Sequence, residues 1–245
     1  MVRFADFLNE EVFYISKDDI DFLYKPLIPW VREINLILSN HDKNHLENII
    51  DRIKRLENSK NVINTRIVKI FNSNILKSDI CKVANDLRPV KIVIGFVQPT
   101  WQLFKNEIHC GISRVYFLGD IDDNTFKKLR KEIKSNRIKA NIRHEITHWI
   151  DDTLNNNYIT KIYKTQDWEK ITKSGNGEIE STDWEIKSQV AAVDEIIRRL
   201  SKKTKNILTL DIIIRIMNWE HKIKKLQWKI KIEKALKDAN ILRGK

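Results

Sequence analysis

Cysteine is nearly missing from this sequence: Cys81 and Cys110 are the only two among 245 residues. Two thiols allow at most one disulfide, so a disulfide-stapled fold is excluded. There is no C-x-x-C pair, which excludes a structural zinc site built on thiolates. Glycine (6) and proline (4) are almost as scarce. Loop-rich all-β folds need both residues at their turns, so the shortage argues for helices. No apolar run approaches the ~20 residues needed to cross a bilayer. The first residues, MVRFADFLNEEVF, carry acidic groups where a secretory signal needs an apolar core. We therefore expect a reduced, cytosolic chain with no membrane span and no signal peptide.

What the sequence does contain is enough apolar material for a core. Hydrophobic residues make up 42% and charged residues 32%, the balance of a folded chain rather than a disordered one. The formal net charge is +12. A surplus of this size favours contact with nucleic acid or another acidic surface. Its basic residues are spread along the chain without a recognised nucleic-acid motif, so solvated lysine faces explain them more simply.

Periodicity places the elements. Residues 18–88 read as helical, with Asp18, Asp19 and Asp42 as N-caps. Leu46, Ile49, Ile50, Ile53 and Leu56 recur at helical spacing. Pro26 and Pro29 belong in the first turn of a helix running to Ser39, and Arg88-Pro89 closes the region. Residues 90–97 are rich in β-branched side chains and read as a strand. Residues 112–118 are a second strand, and 101–108 could supply a third. Helices are expected over 123–135, 138–155, 183–201 and 209–239. Residues 157–173 are ambiguous, and Ser174–Gly177 (SGNG) is a loop. The fold class is α+β, mainly helical. Three regions follow: a helical N-terminal part (1–88), a core (89–205) and a basic amphipathic C-terminal helix (206–245).

One segment of the core carries chemistry. Residues 144–148 read His-Glu-Ile-Thr-His, an H-E-x-x-H motif. Side chains four apart on a helix share a face, so His144 and His148 can reach one Zn²⁺ at ~2.0–2.1 Å. Glu145 lies one step, ~100°, round the helix. It is too far round to be an equal third ligand, but well placed as a general base beside a metal-activated water. Ile142, Ile146, Trp149, Ile150 and Thr153 form the opposite, core-facing side. Asp151 and Asp152, three and four residues beyond His148, could hold an imidazole in its binding tautomer. A strand before the motif helix could edge the cleft and pair with substrate backbone.

On these residues the chain resembles the zincins, the metallopeptidase superfamily named for H-E-x-x-H. The H-E-x-x-H-x-x-D form, with an aromatic after the second histidine, is also similar to small zinc peptidases encoded by tailed phages. The resemblance covers about residues 112–200. It implies a zincin-like core with a small β-sheet before the motif helix, supplemented by extra N- and C-terminal helices. It also implies a Zn²⁺ cofactor, a protein or peptide substrate, and a setting in the host cytoplasm or virion. Metzincins place a His or Asp six residues beyond the second histidine, where this chain has Leu154, so they are excluded. Gluzincins take a Glu from a later helix, often in E-x-x-[Ala/Ser/Asp]. Glu185-Ile-Lys-Ser188 and Glu180-Ser-Thr-Asp183 both fit. Glu185 is preferred because Ile186, Val190, Val193, Ile197 and Leu200 give its helix a core stripe. Two other readings stay open. Glu185 can instead close a capping box with Thr182, and Asp151, Asp152, His109 or His221 can supply the third ligand.

The resemblance implies a zinc-dependent peptidase, with Glu145 as general base and Tyr158, Tyr163 or Arg143 as oxyanion stabiliser. The competing expectations are a non-catalytic zincin-fold structural or host-interaction protein, and a nucleic-acid-associated protein.

Overall fold

The computed structural model describes residues 15–40, 42, 44–49, 51, 68–113, 123–165, 182–200, 208–217, 219 and 226–242. These residues are mainly helical, with a small mixed sheet. In chain order the elements begin with α1 (Lys17–Tyr24) and α2 (Ile28–Asn40), then β1 (Val68–Asn72), α3 (Asp79–Leu87), β2 (Lys91–Gly95), β3 (Thr100–Gln102) and β4 (Glu107–Gly111). They continue with α4 (Asp123–Glu132), α5 (Ser135–Leu154), α6 (Tyr158–Thr165), α7 (Asp183–Arg198), α8 (Leu210–Met217) and α9 (Leu226–Asp238). A further short helical stretch covers 44–49. Among the described residues, no helix is long and apolar enough to cross a membrane.

Local chemistry accounts for the first helices, with one correction to the expected caps. Ser16, not Asp18 or Asp19, is the N-cap of α1, and its hydroxyl accepts the Asp19 N–H at 3.1 Å. The two aspartates fall in the first turn, where they favour the positive helix end. Asp19 also pins a distant loop, because its buried carboxylate accepts the backbone N–H groups of Lys77 and Ser78 at 2.8 and 2.9 Å. Asp42 does cap the stretch after it, accepting the His45 N–H at 2.9 Å. Pro26 and Pro29 sit in a 3₁₀ turn (Lys25–Leu27) and in the first turn of α2.

The sheet order is β1-β2-β4-β3. β2 and β4 are parallel, and β1 and β3 flank them antiparallel. Strand β1 lies in a region expected to be helical. Its sequence, Val-Lys-Ile-Phe-Asn, alternates only briefly, and pairing with β2 decides the outcome. Residues 101–108, which could supply a third strand, form a hairpin: β3, a turn with Asn106 at φ 55°, and the start of β4. Ile112 and Ser113 are not in a strand, and 114–118 lie outside the described residues. Gly111 faces Gly95 in register. A Cβ at Gly111 would collide with the Gly95 carbonyl oxygen, so only glycine permits this approach.

The main apolar cluster runs from Ile15 to Ile150 and joins the N-terminal helices, the sheet and α5 in one core. A second cluster packs α7 with α8 and α9. The expected continuous helix over 209–239 is interrupted. Trp219 leaves the helix, its N–H bonding the Ile214 carbonyl at 2.9 Å. Its ring meets the buried Trp228 edge-on at 5.2 Å. Burying both indoles against each other outweighs helical continuity.

Arg88 ties the sheet to the motif helix. Its guanidinium donates to Asp152 at 2.7 Å, Asn157 at 2.8 Å, Thr160 at 3.1 Å, Asn106 at 2.8 Å and the Leu103 carbonyl at 3.2 Å. Asp152 is fully buried, so removing Arg88 strands its charge. Arg88→Met is expected to destabilise the fold by about 3–5 kcal/mol in urea unfolding. A loss below about 1 kcal/mol would contradict this role.

Candidate metal centre

The motif helix α5 begins at Ser135, three residues earlier than periodicity suggested, and runs 20 residues. Ile142, Ile146, Trp149, Ile150 and Thr153 are buried as expected. The indole N–H of Trp149 donates to the Arg88 carbonyl at 3.0 Å, which fixes the helix beneath the sheet. His144 and His148 emerge on the other side.

Helix α7 packs alongside α5 in the opposite direction. Buried ion pairs fix their register on both sides of the histidines. Arg143 of α5 meets Asp194 and Glu195 of α7 at 2.8 and 3.4 Å. Lys187 of α7 meets Asp151 of α5, both nearly fully buried. Glu185, two residues before Lys187 on α7, arrives at the histidines. Its carboxylate oxygens lie 3.6 Å from His144 Nε2 and 3.1 Å from His148 Nε2. The two Nε2 atoms are 3.1 Å apart. These three groups can hold a metal ion, and no other set of three or more His, Cys, Asp or Glu does so among the described residues.

The donor set fits zinc on geometry. Ligands ~2.0–2.1 Å from a tetrahedral ion stand about 3.3 Å from each other. The observed separations, 3.1 to 3.6 Å, bracket that value. Two imidazoles and one carboxylate also match the ligand types of catalytic zinc.

Electrostatics distinguish the two glutamates. Burial alone would raise the Glu185 carboxyl, but His144 and His148 outweigh it and hold it well below the usual carboxylate range. Gln189 adds a hydrogen bond to Glu185 at 3.0 Å. Glu145 is pushed up to about 7, first by burial and then by the Glu185 charge, against the pull of His148 and the Trp101 N–H. Burial disfavours a charge on His148, but the Glu185 hydrogen bond and the charges of Glu185, Glu145 and Asp151 push its pKa up.

The arrangement corrects several expectations. Asp151 and Asp152 do not orient an imidazole: Asp151 pairs with Lys187, and Asp152 with Arg88 and Thr160. Ser188 takes that place, with its Oγ 3.1 Å from His148 Nδ1. Arg143 is fully buried among its ion pairs, so it cannot act in the cleft. Thr182 starts α7 without a side-chain cap hydrogen bond, and Glu185 is turned to the histidines. His109 lies on β4 beside Glu107 at 2.9 Å, apart from the triad. Glu180, His221 and the 174–177 loop lie outside the described residues. Tyr158 is 46% exposed and does not line the cleft. Tyr163 does line it, and burial followed by the Glu185 charge pushes its phenol pKa up.

His144, His148 and Glu185 open into a cleft of about 200 Å³, bounded by Trp101, Leu103, Ile159, Tyr163 and Trp184. Its rim is β3, an edge strand of the sheet among the described residues. The Trp101 backbone N–H reaches the Glu145 carboxylate. Sequence reasoning missed Ser188 and this contact. Ser188 is visible in E-x-x-S, but its partner is set only by the packing of α7 on α5. Ser188→Ala is expected to weaken zinc binding about 10- to 100-fold, as removal of a ligand's supporting group typically does. Competition against a chromogenic chelator measures it, and unchanged affinity would contradict it. No family model, curated protein or solved structure matches this chain.

Proposed function

We propose that the chain is a zinc-dependent metallopeptidase of the zincin type, with His144, His148 and Glu185 as gluzincin-like ligands. The observation that carries this reading is the convergence of Glu185 on both motif histidines while Glu145 stays outside the triad, facing the same cleft. Zinc held there supplies a Lewis acid that polarises a peptide carbonyl and acidifies a water.

The chain's own groups do the rest. Glu145 takes the proton of the attacking water and later delivers it to the leaving amine. Its buried, raised carboxyl suits both directions of transfer. An extended substrate adds to the side of β3 away from β4 through main-chain hydrogen bonds. Tyr163 donates its phenolic proton in a hydrogen bond to the oxygen that gains charge. The host cytoplasm or the virion is the proposed setting.

The test is hydrolysis of unfolded casein by the zinc-loaded full chain. Cleavage should appear, stop with 1,10-phenanthroline and return with added zinc. Absence of cleavage, or cleavage indifferent to the chelator, would contradict the proposal.

A further inference from the structure

A second cleft lies at the N-terminal end of the motif helix. It has a volume of about 700 Å³ and opens at the start of α5. Four of its nine lining residues are cationic: Lys131, Lys134, Arg137 and Arg215. Across the chain fewer than one residue in five is Lys or Arg (45 of 245), so the cleft concentrates positive charge. None of the described lining residues is acidic. Glu132, next to Lys131, pairs with Arg137 at 3.4 Å, which offsets one of these charges. The start of α5 adds the positive pole of a 20-residue helix.

The walls are fixed by the fold. Arg137 spans the cleft, donating to the Ile216 carbonyl at 3.1 Å. Lys131, Lys134 and Arg215 are exposed. Lys127 lies four residues before Lys131 on the same face of α4 and is also exposed, so the basic surface continues beyond the rim. Asn35 and Asn136 contribute amides, which both donate and accept. Apolar side chains of α7 and α8 form the floor. The cleft begins nine residues before His144, ~13 Å along the helix axis, so it is separate from the metal centre.

We propose that this cleft binds the phosphodiester backbone of single-stranded nucleic acid. Repeated cations along a concave path match repeated phosphates. A cleft of about 700 Å³ suits a single strand rather than a duplex. The net charge of +12 supports encounter through long-range attraction. This inference does not depend on the metallopeptidase reading.

The experiment is fluorescence anisotropy of a labelled single-stranded DNA 20-mer titrated with the full chain across a salt series. Three phosphate contacts, at Lys131, Lys134 and Arg215, predict a slope of about −2 in log affinity against log salt. The triple variant Lys131→Glu, Lys134→Glu, Arg215→Glu should weaken binding about 100-fold or more. A control triple, Lys69→Glu, Lys91→Glu, Lys105→Glu, makes the same charge change at exposed positions near the sheet. It should weaken binding at least about tenfold less. Thermal melts confirm that both variants fold. Equal weakening in the two variants overturns the site, since net charge alone would explain it. So does no binding, a salt-independent affinity, or a preference for a duplex of the same length. Binding of inorganic triphosphate without binding of the 20-mer also overturns the nucleic-acid assignment.

Discussion

Glu145→Gln is expected to lower peptide hydrolysis about 10²- to 10⁴-fold while zinc binding persists. The substitution preserves shape and removes only the ability to carry a proton. Glu145 is not one of the three groups whose donor atoms converge, so the metal should stay. The Trp101 N–H that now meets the carboxylate can donate to the amide oxygen of Gln in the same place. Loss of turnover with retained zinc separates a general base from a structural residue. Unchanged turnover would remove Glu145 from the mechanism. Loss of zinc together with activity would show that Glu145 holds the metal instead.

Removing Glu185 has the opposite signature. A ligand that binds only the folded chain stabilises it by about 4 kcal/mol at a thousandfold excess over its dissociation constant. For a chain of this length, each kcal/mol moves the melting temperature by about 2–4 °C. Zinc should therefore raise the melting temperature of the natural chain by roughly 8–16 °C. In Glu185→Ala that gain should largely vanish, because two histidines alone do not complete the site. Differential scanning calorimetry with and without zinc reads the effect. A full zinc response in Glu185→Ala, combined with its loss in Glu180→Ala, would transfer the third ligand to Glu180.

The candidate metal site is more legible in the sequence than the sheet around it. His144 and His148 declared themselves because helical periodicity fixes which side chains share a face, and the apolar stripe fixes which face is buried. Glu185 was visible as one of two glutamates after a loop, and the core stripe of its helix favoured it. Its competing role as a cap was a local possibility that the packing of α7 on α5 does not use. The β-branched run over 90–97 predicts a strand, and Lys91–Gly95 within it form β2.

Features that depend on distant partners were not legible. Strand β1 has five residues and little alternation, so only its pairing with β2 makes it a strand. Among the described residues the edge strand nearest the site is β3, formed because a tight turn at Asn106 folds 100–111 into a hairpin. Asp151 and Asp152 had the right spacing to support an imidazole. Lys187 and Arg88, 36 and 64 residues away in sequence, claim them instead. Ser188 then serves His148. The break at Trp219 follows the same rule, since it depends on a meeting with Trp228.

Whether His144, His148 and Glu185 form one zinc centre is tested most directly by anomalous diffraction at the zinc edge from zinc-soaked crystals. One strong peak is expected within ~2.0–2.2 Å of His144 Nε2, His148 Nε2 and a Glu185 carboxylate oxygen. A peak that omits any of the three, or no peak between α5 and α7, would contradict it.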